Sequence, residues 1–346
     1  MRPPTLDLRG VQHDRAARGV VRRWRALTGG AAVRDTDRRT LLACSGGADS
    51  TALLLALRGA AEELAVAHVV HNMRPEAQTL AERDQVRRLA SALGLAFFEG
   101  RAGARHLPGN IEAEARRARY RELERLALES GCPFVATAHH AGDQLETVLM
   151  ALLRGAGPRG LAGIPASRRL GTRGVRLIRP MLDIGRDDAE RICAIAGAEW
   201  AADPTNADLS RLRAALRAGP AAELRRLRPG ALRAVAQAAS NQREIAGLLA
   251  SLAGQVVERG RAGGRAVAWT RAELRDVHPA VIAEAIRLAH ARLHGERHAD
   301  RLPARSLRAA VAAVLSRSGE ARRFVWRETE LLIEAATVTL QRTADA

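Results

Sequence analysis

The sequence predicts an α/β domain with a parallel sheet, followed by a mainly helical region. Two observations support this fold class. Between about residues 39 and 140, short apolar runs alternate with longer stretches of helical periodicity, and strict alternation of this kind is typical of a parallel sheet wrapped by helices. After Asp187, most segments are rich in Ala, Leu and Arg and have a helical pattern.

The first half of the chain divides into clear strand and helix candidates. A basic helix is predicted over 11–27, ended by Gly29-Gly30. The predicted strands are Thr40–Cys44, Leu64–Val70, Leu95–Phe98 and Phe134–Ala138. The predicted helices between and after them are Ser50–Arg58, Thr79–Leu93, Ile111–Ser130 and Asp143–Leu153.

The second half contains fewer strand signals. Arg154–Pro180 is rich in Gly, Pro and Arg and is predicted to be loop. Helices are expected over 187–197, 211–252, 270–294 and 303–316, and 324–340 is expected to form a terminal strand or hairpin. The chain therefore divides into a basic N-terminal extension (1–37), an α/β domain (38–200) and a mainly helical region (201–346).

Composition narrows the class of protein. The 346 residues include 55 basic and 38 acidic side chains, a formal net charge of +17, and every basic one is arginine. Such an excess favours a polyanionic partner such as nucleic acid, although a GC-biased genome also raises the arginine content. Apolar runs fall short of the roughly 18 to 20 residues of a membrane span, the N-terminus lacks a signal peptide, and the three cysteines have no metal-ligand spacing. We expect a cytoplasmic protein without a disulfide framework or structural zinc.

The strongest local signal is the hexapeptide between the first predicted strand and helix: Ser45, Gly46, Gly47, Ala48, Asp49 and Ser50. Glycines allow a tight turn that presents N–H groups to an anion, and the helix N-terminus adds partial positive charge. Asp49 repels phosphate unless a cation lies between them, which indicates a Mg²⁺ contact. The alternative is an ordinary turn in which Asp49 caps the helix.

A second polar cluster follows the fourth predicted strand. His139 leaves the strand end, and Asp143 and Glu146 share one face of the next helix because they are three residues apart. The three side chains can converge on a small basic ligand or a metal. Alternatively, Asp143 caps its helix and the histidines His139 and His140 are solvated.

A third cluster, His68 to Arg74, ends the second predicted strand and includes His71. Ser45, His71 and His139 all follow carboxyl ends of predicted parallel strands, which is the edge of open α/β sheets where ligands bind. The helix over 111–130 carries Arg116 and Arg119, which by themselves indicate only a charged helical face.

Several motifs occur in one order over about residues 38–217: SGGADS, HVVHNMR, NIEAEARRARY, TAHHAGDQLETVLMALLRGAGPRGLAGI, IRPML and DPTNAD. This series resembles the tRNA(Ile)-lysidine synthetases of the PP-loop ATP pyrophosphatase group. The resemblance implies a Rossmann-like PP-loop domain followed by helical tRNA-binding regions. SGGADS alone indicates only the wider group.

The resemblance also implies a reaction. ATP adenylylates O2 of the wobble cytidine in an isoleucine tRNA with a CAU anticodon, and the ε-amine of free lysine then attacks C2 and releases AMP. In this scheme Ser45 to Ser50 bind the pyrophosphate of ATP with Mg²⁺ at Asp49, and His71 contributes to the nucleotide site. Asp143 and Glu146 take the cationic lysine, and His139 positions or deprotonates its amine.

Arginines complete the implied site. Arg116 and Arg119 match the basic helix motif of the family and are implied to contact the activated nucleotide or tRNA phosphates. Arg213 and Arg217 are implied to contact lysine or tRNA. The chain departs from the family pattern at Val70, at Gly142 and at Ala214, where Asn usually follows an Arg.

Three alternatives stay open: a PP-loop tRNA thiolase, an amide ligase of the NAD-synthetase type, and an RNA-binding protein whose ATP site has decayed. Thiolases generally need cysteines near the active site, whereas Cys132 and Cys193 are separated and Cys44 lies in an apolar strand. The sequence does not fix the oligomeric state, and a homodimer remains open.

Overall fold

The structure is a computed structural model that describes residues 6–71, 76–103, 111–201, 212–294, 302–326 and 329–343. The chain forms two compact units, Met1–Ser240 and Asn241–Ala346. The first unit contains the α/β domain.

A six-stranded sheet forms the centre of the first unit. Its strands are β1 (Thr40–Ala43), β2 (Leu64–His71), β3 (Ala96–Ala102), β4 (Phe134–Ala136), β5 (Ser167–Arg169) and β6 (Arg176–Ile178). They are arranged in the order β3-β2-β1-β4-β6-β5. All neighbours pair in parallel except β5, which runs antiparallel to β6. The predicted parallel α/β fold is confirmed.

The helices of this unit precede, connect and follow the strands. They are α1 (Leu8–His13), α2 (Arg15–Leu27), α3 (Ala48–Arg58), α4 (Glu76–Ala92), α5 (Ile111–Glu129), α6 (Ala141–Leu153), α7 (Pro158–Leu161), α8 (Arg186–Ala196), α9 (Leu212–Ala218) and α10 (Pro220–Leu227). Short 3₁₀ turns lie at Gly30–Ala32 and Asp35–Asp37.

Alternating side chains of the buried strands form two hydrophobic cores, one on each face of the sheet. Leu42 and Val66 pack on the face that also holds α2, α3 and α8, and Leu41 and Val135 pack on the face covered by α5. Because both faces are covered, the strands are apolar at nearly every position, as parallel strands usually are. This packing fixes the carboxyl ends of β1, β2 and β4 side by side.

The N-terminal helix α2 belongs to the first core. Asp14 caps it by accepting from the amides of Ala16 (2.8 Å) and Ala17 (3.0 Å). Trp24 is fully buried, and its Nε1 donates to Oγ1 of Thr40 at the start of β1 (3.0 Å). Helix α2, within the basic extension expected over 1–37, thus packs against the sheet domain.

The second unit has its own core of helices and sheet. Its helices are the C-terminal part of α11 (Ala231–Arg259), α12 (Arg271–Arg275), α13 (Pro279–His294) and α14 (Ala304–Leu315). Its strands are β7 (Arg261–Gly263), β8 (Ala266–Thr270), β9 (Arg322–Trp326), β10 (Thr329–Ile333) and β11 (Thr337–Arg342). The strands form an antiparallel sheet in the order β7-β8-β11-β10-β9.

Two regions differ from the sequence expectations. The segment expected as loop, 154–180, contains α7 and the strands β5 and β6, and the terminal strand or hairpin is the end of a five-stranded sheet. The division between units falls at Ser240, beyond the expected start of the second region at 201. The reason is that α9 packs on α6 and α10 packs on α9, which attaches both to the first unit.

In the described parts of the chain, every helix is too short or too polar to cross a membrane.

Candidate active site

The hexapeptide Ser45–Ser50 connects β1 to α3. Gly47 is the N-cap of α3 and provides no side-chain cap. The Ser50 hydroxyl braces the turn, because it accepts from the Ser45 amide (3.1 Å) and donates to the Gly47 carbonyl (3.0 Å). The first turn of α3 therefore keeps amide groups that no side chain caps, and such a turn binds phosphate readily.

Gly46 sets the path of this turn. Its φ is +90°, a conformation that side chains rarely adopt. Its carbonyl accepts from the Ala201 amide (2.9 Å), which joins the segment after α8 to the turn. A Cβ at this position also meets Cγ2 of Val86 at 3.4 Å. The shape of the turn thus requires glycine.

Asp49 lies in the first turn of α3 but is not its cap. Its Oδ1 is buried without a hydrogen-bond partner among the described residues, and its Oδ2 lies 3.7 Å from Nε2 of His140. Burial raises the pKa of Asp49, because a carboxylate loses its hydration there.

These observations test the Mg²⁺ expectation. Within the described ranges, no cluster of three or more His, Cys, Asp or Glu side chains forms a metal site. Mg²⁺, however, often binds through one or two carboxylates together with phosphate oxygens. A buried carboxylate oxygen of Asp49 that lacks a donor, beside a phosphate-binding turn, fits that mode.

Helix α6 begins with a reciprocal cap. The His140 Nδ1 accepts from the Gly142 amide (2.9 Å), and Oδ2 of Asp143 accepts from the His140 amide (3.0 Å). Burial by itself raises the pKa of Asp143, but the nearby His140 and Arg213 outweigh it, so the net pKa is lowered. Asp143 therefore caps its helix as a carboxylate.

His139 stands at the end of the fourth strand, as predicted. Its Nδ1 lies 3.0 Å from Oγ1 of Thr137. Burial lowers the pKa of His139 to about 3, and Arg179 and Arg116 add to this against the opposing charge of Asp143. The ring is consequently neutral at physiological pH.

Glu146 is engaged by two arginines of α9. Its side chain is 2% exposed. Nε of Arg213 lies 2.8 Å from Oε2, and Nε of Arg217 lies 2.6 Å from Oε1. Arg213 also contacts Oδ1 of Asp143 (3.2 Å). The carboxylates that were expected to receive lysine thus hold α9 against α6 in this structure.

A group of arginines surrounds Tyr120 on α5. The group consists of Arg116, Arg119, Arg168 and Arg179, and we call it the arginine cluster. Nη2 of Arg116 donates to the phenol oxygen (3.1 Å), and the guanidinium of Arg168 lies 4.6 Å from the ring centroid. The cluster provides strong positive charge near the carboxyl edge of the sheet.

One cavity of about 360 Å³ brings most of these groups together. The predicted site residues that line it are Ser45, Gly47, Asp49, Ser50, Arg119, His139 and Asp143. The predicted site residues that do not line it are Gly46, Ala48, Arg116, Glu146, Arg213 and Arg217. His71 ends β2, whereas Arg74 and the DPTNAD segment lie outside the described residues.

Sequence reasoning did not assign roles to His140, Tyr120, Arg168 or Arg179. The sequence signal for His140 is the glycine two residues after it. In the structure, a Cβ at Gly142 meets Cε1 of the His140 ring at 2.7 Å. The small residue at this departure from the family pattern accommodates the ring. The contacts of Arg168 and Arg179 with Tyr120 come from distant segments, which no local pattern reveals.

The fold and the site together define a nucleotide-binding α/β domain. The features that define it are the parallel sheet, the glycine-rich turn at its carboxyl edge, the uncapped helix N-terminus and the carboxylate beside that turn. A sequence model of the PP-loop domain family matches residues 20–222. The chain therefore belongs to the PP-loop domain family.

Curated relatives refine this placement. The chain is 42% identical over 229 residues to a tRNA(Ile)-lysidine synthase of Alkalilimnicola ehrlichii, covering 63% of this chain and 49% of that protein. It is 43% identical over 183 residues to the tRNA(Ile)-lysidine synthase of Salinispora tropica, covering 51% of this chain and 54% of that protein. The chain thus spans about half the length of these relatives.

Among solved structures, the fold is similar to that of a U34-tRNA thiolase from Methanococcus maripaludis that carries an iron–sulfur cluster. The TM-score is 0.53 at 16% identity, covering 65% of this chain and 79% of the thiolase. At this identity the likeness concerns the fold alone.

Proposed function

We propose that this protein is an ATP-dependent tRNA(Ile)-lysidine synthase. In the first step, O2 of the wobble cytidine attacks the α-phosphorus of ATP and pyrophosphate leaves. In the second step, the ε-amine of lysine attacks C2, the C2–O2 bond breaks, AMP leaves and the amine loses a proton. The proposed substrates are ATP, free L-lysine and the isoleucine tRNA with a CAU anticodon, which meet in the cytoplasm.

The observation that carries the proposal is the shared cavity. A phosphate-binding turn (Ser45–Ser50), the carboxylate of Asp49, the neutral ring of His139 and the carboxylate of Asp143 all face one space. A nucleotide held by the turn and an amine held by Asp143 therefore meet next to His139. The identities to curated lysidine synthases over residues of the same domain support this choice of reaction.

The turn is proposed to serve the first step. Its amides and the Ser45 hydroxyl suit the oxygens of the leaving pyrophosphate, and the Ser50 hydroxyl, 3.2 Å from that of Ser45, braces the turn. Asp49 is proposed to hold Mg²⁺ through its Oδ1, which has no hydrogen-bond partner among the described residues. When bound, Mg²⁺ neutralises charge on the phosphates.

The second step uses the groups at the start of α6. Asp143, kept ionised by its neighbours, suits the ammonium form of lysine. Because the pKa of His139 is about 3, its ring is a weak base, which favours positioning the amine over deprotonating it. Glu146 is proposed to act through Arg213 and Arg217, by holding α9 beside the site.

The tRNA is the proposed polyanionic partner. The net charge of +17 matches a large polyanion, Arg119 lines the cavity, and Arg116 contacts Tyr120 in the cavity wall. The affinity for tRNA should therefore fall steeply with added salt.

A thiolase is the main alternative, and the state of the cysteines disfavours it. Cys44, Cys132 and Cys193 are all buried. Burial raises the pKa of Cys193 to about 12 and also raises the pKa values of Cys44 and Cys132. Thiols of this kind carry little thiolate near neutral pH. Replacing each cysteine by Ser should leave turnover largely intact, whereas abolished turnover favours the thiolase.

Product analysis tests the proposal. Full turnover of ATP to AMP and pyrophosphate should require both the CAU-anticodon isoleucine tRNA and lysine. Release of ADP and phosphate, or AMP formation that is indifferent to both tRNA and lysine, contradicts it. Cleavage that needs tRNA but no lysine keeps the adenylylation step and reopens the identity of the nucleophile.

A further inference from the structure

Tyr120 is the only tyrosine of the chain and it lies in the wall of the cavity. It is 8% exposed and belongs to the core on the α5 face of the sheet. None of the roles proposed above uses it. Its surroundings nevertheless differ from those of an ordinary core aromatic.

Guanidinium groups from three chain segments converge on the ring. Arg116 and Arg119 come from α5, with guanidinium carbons 5.2 and 5.7 Å from the ring centroid. Arg168 comes from β5 and lies over the ring at 4.6 Å. Arg179 follows β6, is 2% exposed, and acts electrostatically on the same phenol.

The cluster lacks acidic partners. Among the described residues, no carboxylate forms an ion pair with any of its four arginines, and Nε of Arg179 is buried without a hydrogen-bond partner. The arginines of α9 contrast with it, because Arg213 and Arg217 are both paired to Glu146. Arg179 is buried, with Nη1 donating to the Pro165 carbonyl (2.6 Å), whereas Arg119 and Arg168 are half-buried and Arg116 is exposed. Guanidinium groups held this close repel one another, and an anion between them relieves the repulsion.

We propose that Tyr120 is a positioning residue that holds Arg116, Arg119 and Arg179 together as one binding group for a phosphate of the substrate. The phenol oxygen accepts from Arg116 and offers the arginines a partial negative charge while no phosphate is present. A phosphate that enters the cavity then replaces the phenol oxygen as the negative partner of the arginines. The guanidinium groups are already held in place, and each can bind two phosphate oxygens at once.

This inference rests on the proposed function for the nature of the ligand. The phosphate belongs either to ATP or to the tRNA backbone, since both bring a phosphodiester or phosphoanhydride oxygen to the cavity. Guanidinium groups bind the phosphate oxygens of ATP and of tRNA alike, and the titration described below distinguishes the two ligands.

The single tyrosine allows a direct optical test. Tyrosinate absorbs in the near ultraviolet at wavelengths where neutral tyrosine does not, and the four tryptophans do not ionise. Burial raises the pKa of Tyr120, but Arg116, Arg179 and Arg119 outweigh it and lower the pKa overall. A bound phosphate neutralises these arginines, so it should move the pKa back upward and reduce tyrosinate absorbance at a fixed alkaline pH.

The titration is run on the full chain in separate arms with Mg²⁺ and a non-hydrolysable ATP analogue, with an anticodon stem-loop RNA, and with lysine alone. A loss of tyrosinate absorbance with the ATP analogue assigns the phosphate to ATP, and a loss with RNA assigns it to the tRNA. Lysine alone should leave the spectrum unchanged. An unchanged spectrum with both phosphate ligands, when calorimetry shows that they bind, overturns the inference and leaves the proposed function standing. Failure of both to bind contradicts the proposed function itself.

Variants provide the second readout. Tyr120→Phe keeps the ring but removes the oxygen, and loss of this hydrogen bond to a charged group should weaken binding of the responding ligand about tenfold. Arg125→Ala on the same helix is the matched control, because Arg125 is exposed and paired with Glu122 and Glu129. It should change neither the tyrosinate titration nor the affinity. Equal affinities of Tyr120→Phe and the unmodified chain overturn the positioning role, and if that variant does not fold, the titration of the unmodified chain decides alone.

Discussion

Replacing Glu146 by Gln separates two roles that its position allows. The carboxylate of Glu146 can either receive the lysine substrate or anchor α9 to α6. Gln has nearly the same shape and still accepts hydrogen bonds, so the change removes charge with little loss of packing. In the structure both carboxylate oxygens face arginines, at 2.8 Å from Arg213 and 2.6 Å from Arg217.

The expected loss of stability follows from burial. Removing one partner of a fully buried ion pair costs roughly 3–5 kcal/mol. Here Glu146 is buried but the side chains of Arg213 and Arg217 are 31% and 37% exposed. The arginines can therefore regain part of their hydration, and Gln keeps part of the hydrogen bonding. We expect a decrease of about 2 kcal/mol in the free energy of unfolding of the first unit.

Denaturant unfolding and steady-state kinetics together check this reasoning. A double-mutant cycle of Glu146→Gln with Arg217→Met should give a coupling energy of about 1 kcal/mol or more, since the residues are in direct contact. The KM for lysine and the KM for ATP should change together, because α9 is displaced as a whole. Unchanged stability with a raised KM for lysine alone refutes the anchoring role and returns Glu146 to direct lysine binding.

Three further predictions follow from the other site residues. Asp49→Asn should lower pyrophosphate release by about a hundredfold or more while tRNA binding is retained. Stability should be equal or higher, since the change removes charge from a carboxylate whose Oδ1 is buried without a hydrogen-bond partner among the described residues. Near-normal turnover contradicts the metal role. His140→Asn should keep the α6 cap, because Asn is a good N-cap. Its shorter side chain no longer reaches Asp49, so the Mg²⁺ concentration needed for half-maximal activity should rise. An unchanged Mg²⁺ requirement counts against a role for the His140–Asp49 contact. The pKa of His139 falls from 6.5 to about 3 on folding, so below pH 6.5 only the unfolded chain gains this proton, and stability is lost as pH falls toward 3. Relative to His139→Gln, the unmodified chain should lose about 1.4 kcal/mol per pH unit more in that window, and parallel stability curves exclude the burial of a neutral His139.

The sequence was most informative where local pattern and chemistry coincide. The run from Thr40 to Ser50 combines a short apolar strand, glycines and a helix start, so the turn between β1 and α3 could be predicted. Its phosphate-binding role stays a proposal. His139 and Asp143 could be placed at the same edge because parallel strands end there together.

Other parts of the site depend on contacts between distant segments. The strands β5 and β6 are three residues each within a Gly- and Arg-rich stretch, too short for a periodic pattern. Arg168 and Arg179 reach Tyr120 only because β5 pairs with β6 and β6 pairs with β4. Likewise, the pairing of Glu146 with α9 bridges more than sixty residues, so the carboxylates were interpreted as free for lysine.

Transfer of radiolabelled lysine to tRNA tests the central claim most directly. The substrate is a transcript of the isoleucine tRNA with a CAU anticodon, and the control is the elongator methionine tRNA, which has the same anticodon. We predict ATP-dependent labelling of the isoleucine tRNA alone, with the label on the wobble cytidine. Absence of label on that tRNA, in a preparation that binds ATP and tRNA, contradicts the assignment as a lysidine synthase.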